Sequence, residues 1–413
     1  MIIIIILILN MSFFNLSKSV PDFNNIFNDD FNSNLLSVKK ISNKGSQYKL
    51  IKYNKDLLSS DFESSYGLCR SIIANEDNQI VCFSPPKSID RNVFVNKYPE
   101  IDSNFIVEEL VEGTMINMFY NKGRWEISTK GVIGANTRFF KTSDKTNFRK
   151  MFFDAFFKCG LTHEMFVTNY CFSFVLQHPD NRIVVPFTEP CLKLIAVYNI
   201  ETNEEGDFIV NVVDKYHYWL NHLNSSLFIM NDTYTTKSYE NLDERLASLN
   251  TPYDILGYVV YNTTTGERMK MRNPMYEEVK ALRGNQTKLQ FQYLSLRSQG
   301  KVNNYLKYFP ESKRDFSNYR DGVHIFTSTL YNNYRNCYVK KEKPLKEYGN
   351  QFRTHMYHIH QLFLTNLKEE NKYVDINVVI GYVNKLKPEH LMYSLNYHHR
   401  TKVIDEQDIE VSV

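Results

Sequence analysis

The chain has 413 residues, with 49 Lys and Arg against 46 Asp and Glu for a net charge of +3, 43% hydrophobic and 14% aromatic content, 15 Gly and 12 Pro. This apolar content at modest charge excludes an intrinsically disordered chain, and the low Gly and Pro counts exclude collagen-like and low-complexity proteins. The length fits two or three globular domains at roughly 100 to 200 residues each.

The opening MIIIIILIL is an apolar run of nine residues. A bilayer-spanning helix needs roughly 20, and the run lacks both a basic flank and a small-residue cleavage site. It reads as an upstream extension with Met11 as the natural start. Residues 1–44 are taken as an N-terminal extension of a soluble, cytoplasmic protein that makes no membrane contact. Sequons such as Asn231-Asp232-Thr233 and Asn262-Thr263-Thr264 matter only in a secreted chain. Six cysteines (Cys69, Cys82, Cys159, Cys171, Cys191 and Cys337) show no CxxC or other paired spacing, so reduced, buried thiols are expected.

Over residues 45–285 the pattern is strand-like. Short runs rich in β-branched and aromatic residues predict strands over Phe105–Glu109, Met115–Tyr120, Arg124–Thr129, Phe172–Gln177, Leu192–Ile200, Phe208–Val213 and Gly257–Tyr261. Helical patches interrupt them at Asn147–Cys159, Tyr239–Leu249 and Met275–Leu282, which together predict an α+β domain of antiparallel sheets. Trp125 and Trp219 read as core or core-edge residues.

The net charge conceals an asymmetry: residues 1–280 carry −4, residues 281–400 carry +10 and residues 401–413 carry −3. In the basic stretch, apolar and aromatic residues recur at spacings of three and four (Tyr305 and Tyr308; Tyr331, Tyr334 and Tyr338; Met356, Ile359 and Phe363), punctuated by Pro310, Pro344 and Pro388. A basic, tyrosine-rich helical domain over 286–400 follows, with an acidic tail over 401–413. Its interleaved Lys, Arg and Tyr, for example Lys301, Tyr305, Lys307 and Tyr308, then Tyr334, Arg335, Tyr338, Lys340 and Lys341, suit phosphate neutralisation and stacking on unpaired bases, although a solvated surface has the same composition.

Four segments of residues 45–285 are best read together. They are Tyr66-Gly67-Leu68-Cys69-Arg70; Glu108-Glu109-Leu110-Val111-Glu112-Gly113 with Ser128-Thr129-Lys130-Gly131 on the next strand; Phe172-Ser173-Phe174-Val175-Leu176 running through Pro179-Asp180-Asn181-Arg182; and Leu256-Gly257-Tyr258-Val259-Val260 followed by Met269-Lys270-Met271-Arg272. In order and spacing this series resembles the adenylyltransferase domain of the single-strand RNA ligases of tailed-phage type, within the covalent nucleotidyltransferases that include DNA ligases and mRNA capping enzymes. The resemblance implies a nucleotidyltransferase fold of antiparallel sheets followed by the helical domain, ATP with Mg as cofactors, and RNA as partner. In that family a lysine of a Lys-x-Asp-Gly motif attacks the α-phosphate, and the lysyl-nucleotide is passed to an RNA 5′-phosphate that is then joined to a 3′-hydroxyl.

Carried across residue by residue, the resemblance gives Arg70, Glu112, Lys130, Lys270 and Arg272 as nucleotide- or phosphate-binding residues, with Glu112 replacing an aspartate. Leu110 stands where the nucleophilic lysine belongs, and Val175 and Leu256 where glutamates belong. Leucine has no lone pair to form a phosphoramidate, and neither Val175 nor Leu256 offers oxygen to a divalent cation. Ser173 is a weak substitute, and Lys130 is the mapped lysine best placed to reach in. No catalytic residue is assigned.

The expectation is an RNA-ligase-like protein that is catalytically impaired and binds RNA ends or nucleotide. The alternatives are an active ATP-dependent RNA ligase or capping-type transferase with a displaced nucleophile, and a structural or assembly protein reusing the fold. His355, His358 and His360 invite a zinc hypothesis, but only the first two share a helical face and no Cys or carboxylate lies at ligand spacing, so no metal site is assigned. Gly131-Val132-Ile133-Gly134-Ala135-Asn136 follows a strand without opening an apolar helix and reads as a turn.

Overall fold

The computed structural model describes residues 12–138, 146–215, 233–234, 238–248 and 251–399. Met11 and the apolar run before it, Trp219, the first two residues of the Asn231 sequon and the acidic tail lie outside the described residues. The chain divides into two compact units, Met1–Lys280 and Ala281–Val413.

The first unit is α+β. Its strands are β1 (Phe13–Asn15), β2 (Leu36–Asn43), β3 (Ser46–Tyr53), β4 (Ile72–Asn75), β5 (Ile80–Phe83), β6 (Phe105–Glu109) and β7 (Thr114–Asn121). The chain continues through β8 (Arg124–Thr129), β9 (Tyr170–Gln177), β10 (Cys191–Thr202), β11 (Phe208–Val213), β12 (Thr233–Tyr234), β13 (Gly257–Asn262) and β14 (Arg268–Arg272). Its helices are α1 (Leu16–Ser19), α2 (Arg91–Lys97), α3 (Phe148–Lys158), α4 (Tyr239–Ala247) and α5 (Pro274–Arg283), within which the chain passes to the second unit.

Three antiparallel sheets result, in the orders β1-β11-β10-β9-β7-β8, β12-β6-β13-β14 and β2-β3-β4-β5. Residues 13–43, read from sequence as an extension, contribute β1 to the six-stranded sheet and β2 to the β2-β3-β4-β5 sheet. Their apolar residues Leu16, Val20, Phe23, Ile26 and Leu36 are buried, so this stretch belongs to the core of the unit.

Alternation along the six-stranded sheet sorts its side chains between two cores. Ile116, Met118, Phe172, Phe174, Leu192 and Leu194 pack against Met151, Phe152, Ala155 and Phe156 of α3. On the other face Phe119, Cys171, Tyr198 and Val210 pack on Leu50, Ile72, Cys82 and Phe83 of the β2-β3-β4-β5 sheet. Cutting one of the fully buried phenylalanines to alanine costs about 3 to 5 kcal/mol at such sites. The β6-β13-β14 sheet buries Val107, Tyr258, Val260, Met269 and Met271 under Phe94 of α2 and Leu242 and Leu246 of α4. Its opposite face, with Glu108, Val259, Tyr261, Arg268 and Lys270, is left to line a cleft.

Two glycines are fixed by close approach. Gly113 has φ +147 and Gly257 φ +140, and a Cβ would sit 2.4 Å from the Leu176 carbonyl oxygen at the first and 2.0 Å from that of Met271 at the second. Four thiols (Cys69, Cys82, Cys159 and Cys171) are buried, and Cys191 and Cys337 are half-buried. No helix among the described residues is long and apolar enough to cross a membrane.

The second unit is helical: α6 (Leu289–Ser298), α7 (Val302–Tyr308), α8 (Lys313–Tyr334), α9 (Asn350–Leu362), α10 (Ile376–Lys385) and α11 (Pro388–Leu395), with a π-helical turn ending both α8 (Arg335–Val339) and α9 (Phe363–Leu367). Tyrosines expected to meet bases are partly spent on this core. Tyr305 stacks between Phe309 (4.6 Å) and Phe316 (5.0 Å), and Tyr334 is buried beside Tyr338. Tyr338 lies flat on His360 at 3.9 Å.

His355 is buried and bridges three helices, its Nδ1 2.9 Å from the Tyr382 hydroxyl and its Nε2 2.8 Å from Ser394 Oγ. His358 Nδ1 lies 3.3 Å from the same tyrosine. Burial, with His358 and His390 nearby, lowers the His355 pKa from 6.5 to about 4. Below pH 6.5 the unfolded chain takes up a proton that the native imidazole refuses until about pH 4, so the fold loses stability as pH falls through that window. We expect denaturant titrations of the full chain to show a loss of up to about 3 kcal/mol between pH 7 and 4 that His355→Gln largely removes.

Candidate functional site

Between the cleft face of β6-β13-β14 and the six-stranded sheet lies a cavity of about 160 Å³. Its apolar walls are Leu110, Met115, Val175, Ile195 and Val259, and its polar lining includes Arg70, Glu109, Arg268 and Lys270. Each position has a local cause. Val259 pairs with Glu108 on one side and Lys270 on the other, and Tyr261 pairs with Arg268, so these residues share one face of the sheet. Leu110 follows β6, its N–H donating to the Gly257 carbonyl at 2.8 Å. Ile195 is thrown into the cleft by a β-bulge between Leu194 and Ala196.

A larger cavity of about 310 Å³ adjoins it, sharing Ile195, Tyr261 and Arg268. It is mainly apolar, with Tyr198 and Pro85 in its lining and a buried ion pair in which Lys215 Nζ meets Glu108 Oε2 at 2.7 Å. Outside, a basic recess of about 540 Å³ is lined by Lys52, Tyr53, Lys55 and Lys130, the Lys130 ammonium lying 4.7 Å from the centre of the Tyr53 ring.

These cations are packed together without compensation. The buried Arg268 guanidinium donates from Nε to the Pro86 carbonyl at 3.0 Å, and Arg70 donates to the Pro85 carbonyl at 3.4 Å. Among the described residues, no carboxylate forms an ion pair with Arg70, Arg268, Lys270, Lys130, Lys52 or Lys55. The strain is visible in their proton affinities. Burial and then Arg268 bring Arg70 down to about 10. Burial, then Arg268, Arg70, Arg272 and Lys280, bring Lys270 down to about 6. Burial, then Arg70, Lys52 and Lys55, bring Lys130 down to about 8. Arg70 thus links the inner cavity to the outer recess.

The residues expected to bind nucleotide or phosphate therefore separate. Arg70 and Lys270 share the inner cavity, and Lys130 borders the outer recess. Arg272 is exposed and paired with Glu277 at 2.9 Å. Glu112 is buried away from the cavity. Its carboxylate accepts from the Val184 N–H at 3.1 Å and the Val185 N–H at 3.1 Å, pinning the β9–β10 connection. Burial raises its pKa, against the Tyr276 hydroxyl and those N–H donors. Asn181 anchors the same connection through Thr114 Oγ1 at 2.9 Å.

Leu110 and Val175 face the inner cavity, whereas Leu256 is not part of its lining. Ser173 is fully buried and donates to Asn117 Oδ1 at 2.9 Å, and Asn117 in turn donates to Ser84 Oγ at 2.7 Å, so its hydroxyl is spent inside the core. No group of three or more His, Cys, Asp or Glu converges as metal ligands among the described residues. The hydrocarbon side chains of Leu110 and Val175 add no oxygen, so the donor set does not fit a protein-held Mg. Sequence reasoning missed Arg268, although it begins the alternation Arg268, Lys270, Arg272, and missed Lys52 and Lys55.

Gly113→Ala forces a Cβ against the Leu176 backbone and onto Val175 Cγ1 at 2.6 Å. We expect it to destabilise the protein by about 2 to 4 kcal/mol, read as a lower denaturant midpoint at unchanged slope. Glu112→Ala orphans two buried N–H groups and should cost about 2 to 3 kcal/mol, with faster proteolysis near residues 183–185.

No family model matches the chain. Over 113 residues, 25% of its length, the chain is 37% identical to a protein named RNA ligase from Rhodothermus phage RM378, and the match likewise spans 25% of that relative. Among solved structures it is similar to form 2 of an archaeal ATP-dependent RNA ligase, with a TM-score of 0.40, 9% identity, and coverage of 84% of this chain and 92% of that one. Form 1 of the archaeal ligase gives a TM-score of 0.36 at 10% identity, covering 68% and 67%. A putative ATP-dependent DNA ligase from Aquifex aeolicus gives 0.36 at 12% identity, covering 80% and 77%. Over the aligned quarter of its length, the chain is a homologue of a protein named RNA ligase.

Proposed function

We propose that the chain is an RNA-ligase-like protein whose first unit binds nucleotide or a phosphorylated RNA end, with ligase chemistry from the family's usual lysine position lost. The observation that carries this reading is the run of basic side chains without an ion-paired carboxylate, from Lys52, Lys55 and Lys130 at the outer recess to Arg70, Arg268 and Lys270 beside Leu110 in the inner cavity, where burial among these groups leaves the Lys270 amine largely neutral until an anion arrives. Like charges brought this close repel, and an anion relieves that repulsion, which favours a phosphate chain as the ligand. The inner cavity suits one phosphate, and the adjoining apolar cavity with Tyr198 and Tyr261 suits a base and sugar. The partial match to a named RNA ligase and the +10 charge of residues 281–400 favour RNA as the partner.

Binding of a labelled 5′-phosphorylated single-stranded RNA across a salt series tests the reading. Affinity should fall steeply with salt, and Arg70→Gln should weaken it about 5- to 30-fold, the value of one charge-assisted contact. An affinity indifferent to both would count against it. Phosphate favours the charged amine, so Lys130 (about 8) and Lys270 (about 6) gain protons on binding. Nucleotide affinity should therefore rise as pH falls from 8.5 to 6, with proton uptake measurable by calorimetry in buffers of different ionisation enthalpy.

A further inference from the structure

Lys270 is the lysine that shares the inner cavity with Leu110. It projects from β14 on the same face as Val259 of β13, which pairs in turn with β6. Leu110, just past the end of β6, is bonded to Gly257 of β13. The two positions are therefore about two strand spacings, roughly 10 Å, apart across the sheet, with the cavity between them. A phosphate held there has hydrocarbon on one flank and an amine on the other. That amine makes no hydrogen bond or ion pair among the described residues. Lys130, by contrast, lies in the outer recess over the Tyr53 ring.

We propose that Lys270 is a displaced nucleophile: its Nζ attacks the α-phosphorus of a nucleoside triphosphate bound in this cavity and forms a lysyl-nucleotide. The P–N bond forms as the bond from the α-phosphorus to the bridging oxygen breaks. Pyrophosphate leaves with that electron pair, and the proton shed by nitrogen passes to solvent. This rests on the nucleotide-binding reading of the same site. The environment suits the task, because burial and the flanking Arg268 and Arg70 leave the amine of the free protein largely unprotonated at neutral pH, and these cations keep a neutral fraction available to attack even as a bound phosphate chain raises its proton affinity. Desolvation beside other cations activates lysines in this way. Arg70, which lies outside β14, remains to offset charge on the departing pyrophosphate. In-line attack from β14 requires the pyrophosphate to leave away from that strand.

The full-length chain incubated with α-³²P-labelled ATP or GTP as the magnesium or manganese salt, then run on a denaturing gel, should carry an acid-labile, alkali-stable label on the peptide containing Lys270. Lys270→Arg keeps a basic side chain but not the nucleophile. It should lose the label while keeping the wild-type circular dichroism and denaturant midpoint, which report that the chain is folded. At saturating nucleotide, the labelling rate should rise with pH while affinity falls, a split that a purely structural lysine does not produce. Nucleotide binding without label in the wild-type chain overturns the nucleophile and leaves the binding reading intact. Label persisting in Lys270→Arg also overturns it and moves the chemistry elsewhere, whereas no nucleotide binding at all sinks the binding reading together with it.

Discussion

The organising constraint of the first unit is electrostatic: Arg70, Arg268 and Lys270 are held within one small cavity whose lining carboxylate, Glu109, forms no ion pair with them among the described residues, and burial beside the two guanidinium groups drives the Lys270 amine toward its neutral form. Such a cluster is costly in the free protein. Packing makes it tolerable. Arg268 is fixed by backbone carbonyls of the Pro85-Pro86 turn, and the sheet that presents Lys270 is backed by the apolar layer under α2 and α4. An anion entering the cavity would relieve that crowding of basic groups.

The segment around Leu110 is fixed by backbone and packing constraints. Gly113 is irreplaceable for a backbone reason, the close approach of Leu176. Glu112 is retained as an acid for another reason, since its carboxylate closes the β9–β10 connection by accepting two N–H bonds. Both roles belong to the fold of this segment, and neither places a polar side chain in the inner cavity.

Much of this was legible in the sequence. β6, β8 and β11 fall where alternation of β-branched and aromatic residues places them, and α3 where its phenylalanines recur. β2 was not legible, because Lys39, Lys40, Ser42 and Asn43 give it the polar texture of a linker; it is an edge strand with little buried surface. Arg70 and Lys270 were traceable through motif order, but composition does not reveal that Arg268 enters the same cavity from the neighbouring pair of the ladder. Nor does it reveal which tyrosines face inward. Tyr305 and Tyr334 satisfy a helical period that serves core packing and base stacking equally well, and only the fold assigns them to the core.

The bulge at Ile195 ties the shape of the cleft to the phase of a whole strand. Upstream of it Leu192 and Leu194 point toward α3; downstream, Val197 takes that direction while Ala196 and Tyr198 turn toward the β2-β3-β4-β5 sheet. Leu194 and Ala196 pair with the adjacent residues Phe174 and Ser173, so Ile195 is the extra residue, and removing it would restore regular alternation with both cores in phase while withdrawing one apolar side chain from the cleft. A one-residue insertion or deletion elsewhere in β10 would instead send every side chain beyond it to the opposite face. Position 195 is thereby a point at which β10 can shorten by one residue and alter the cleft alone.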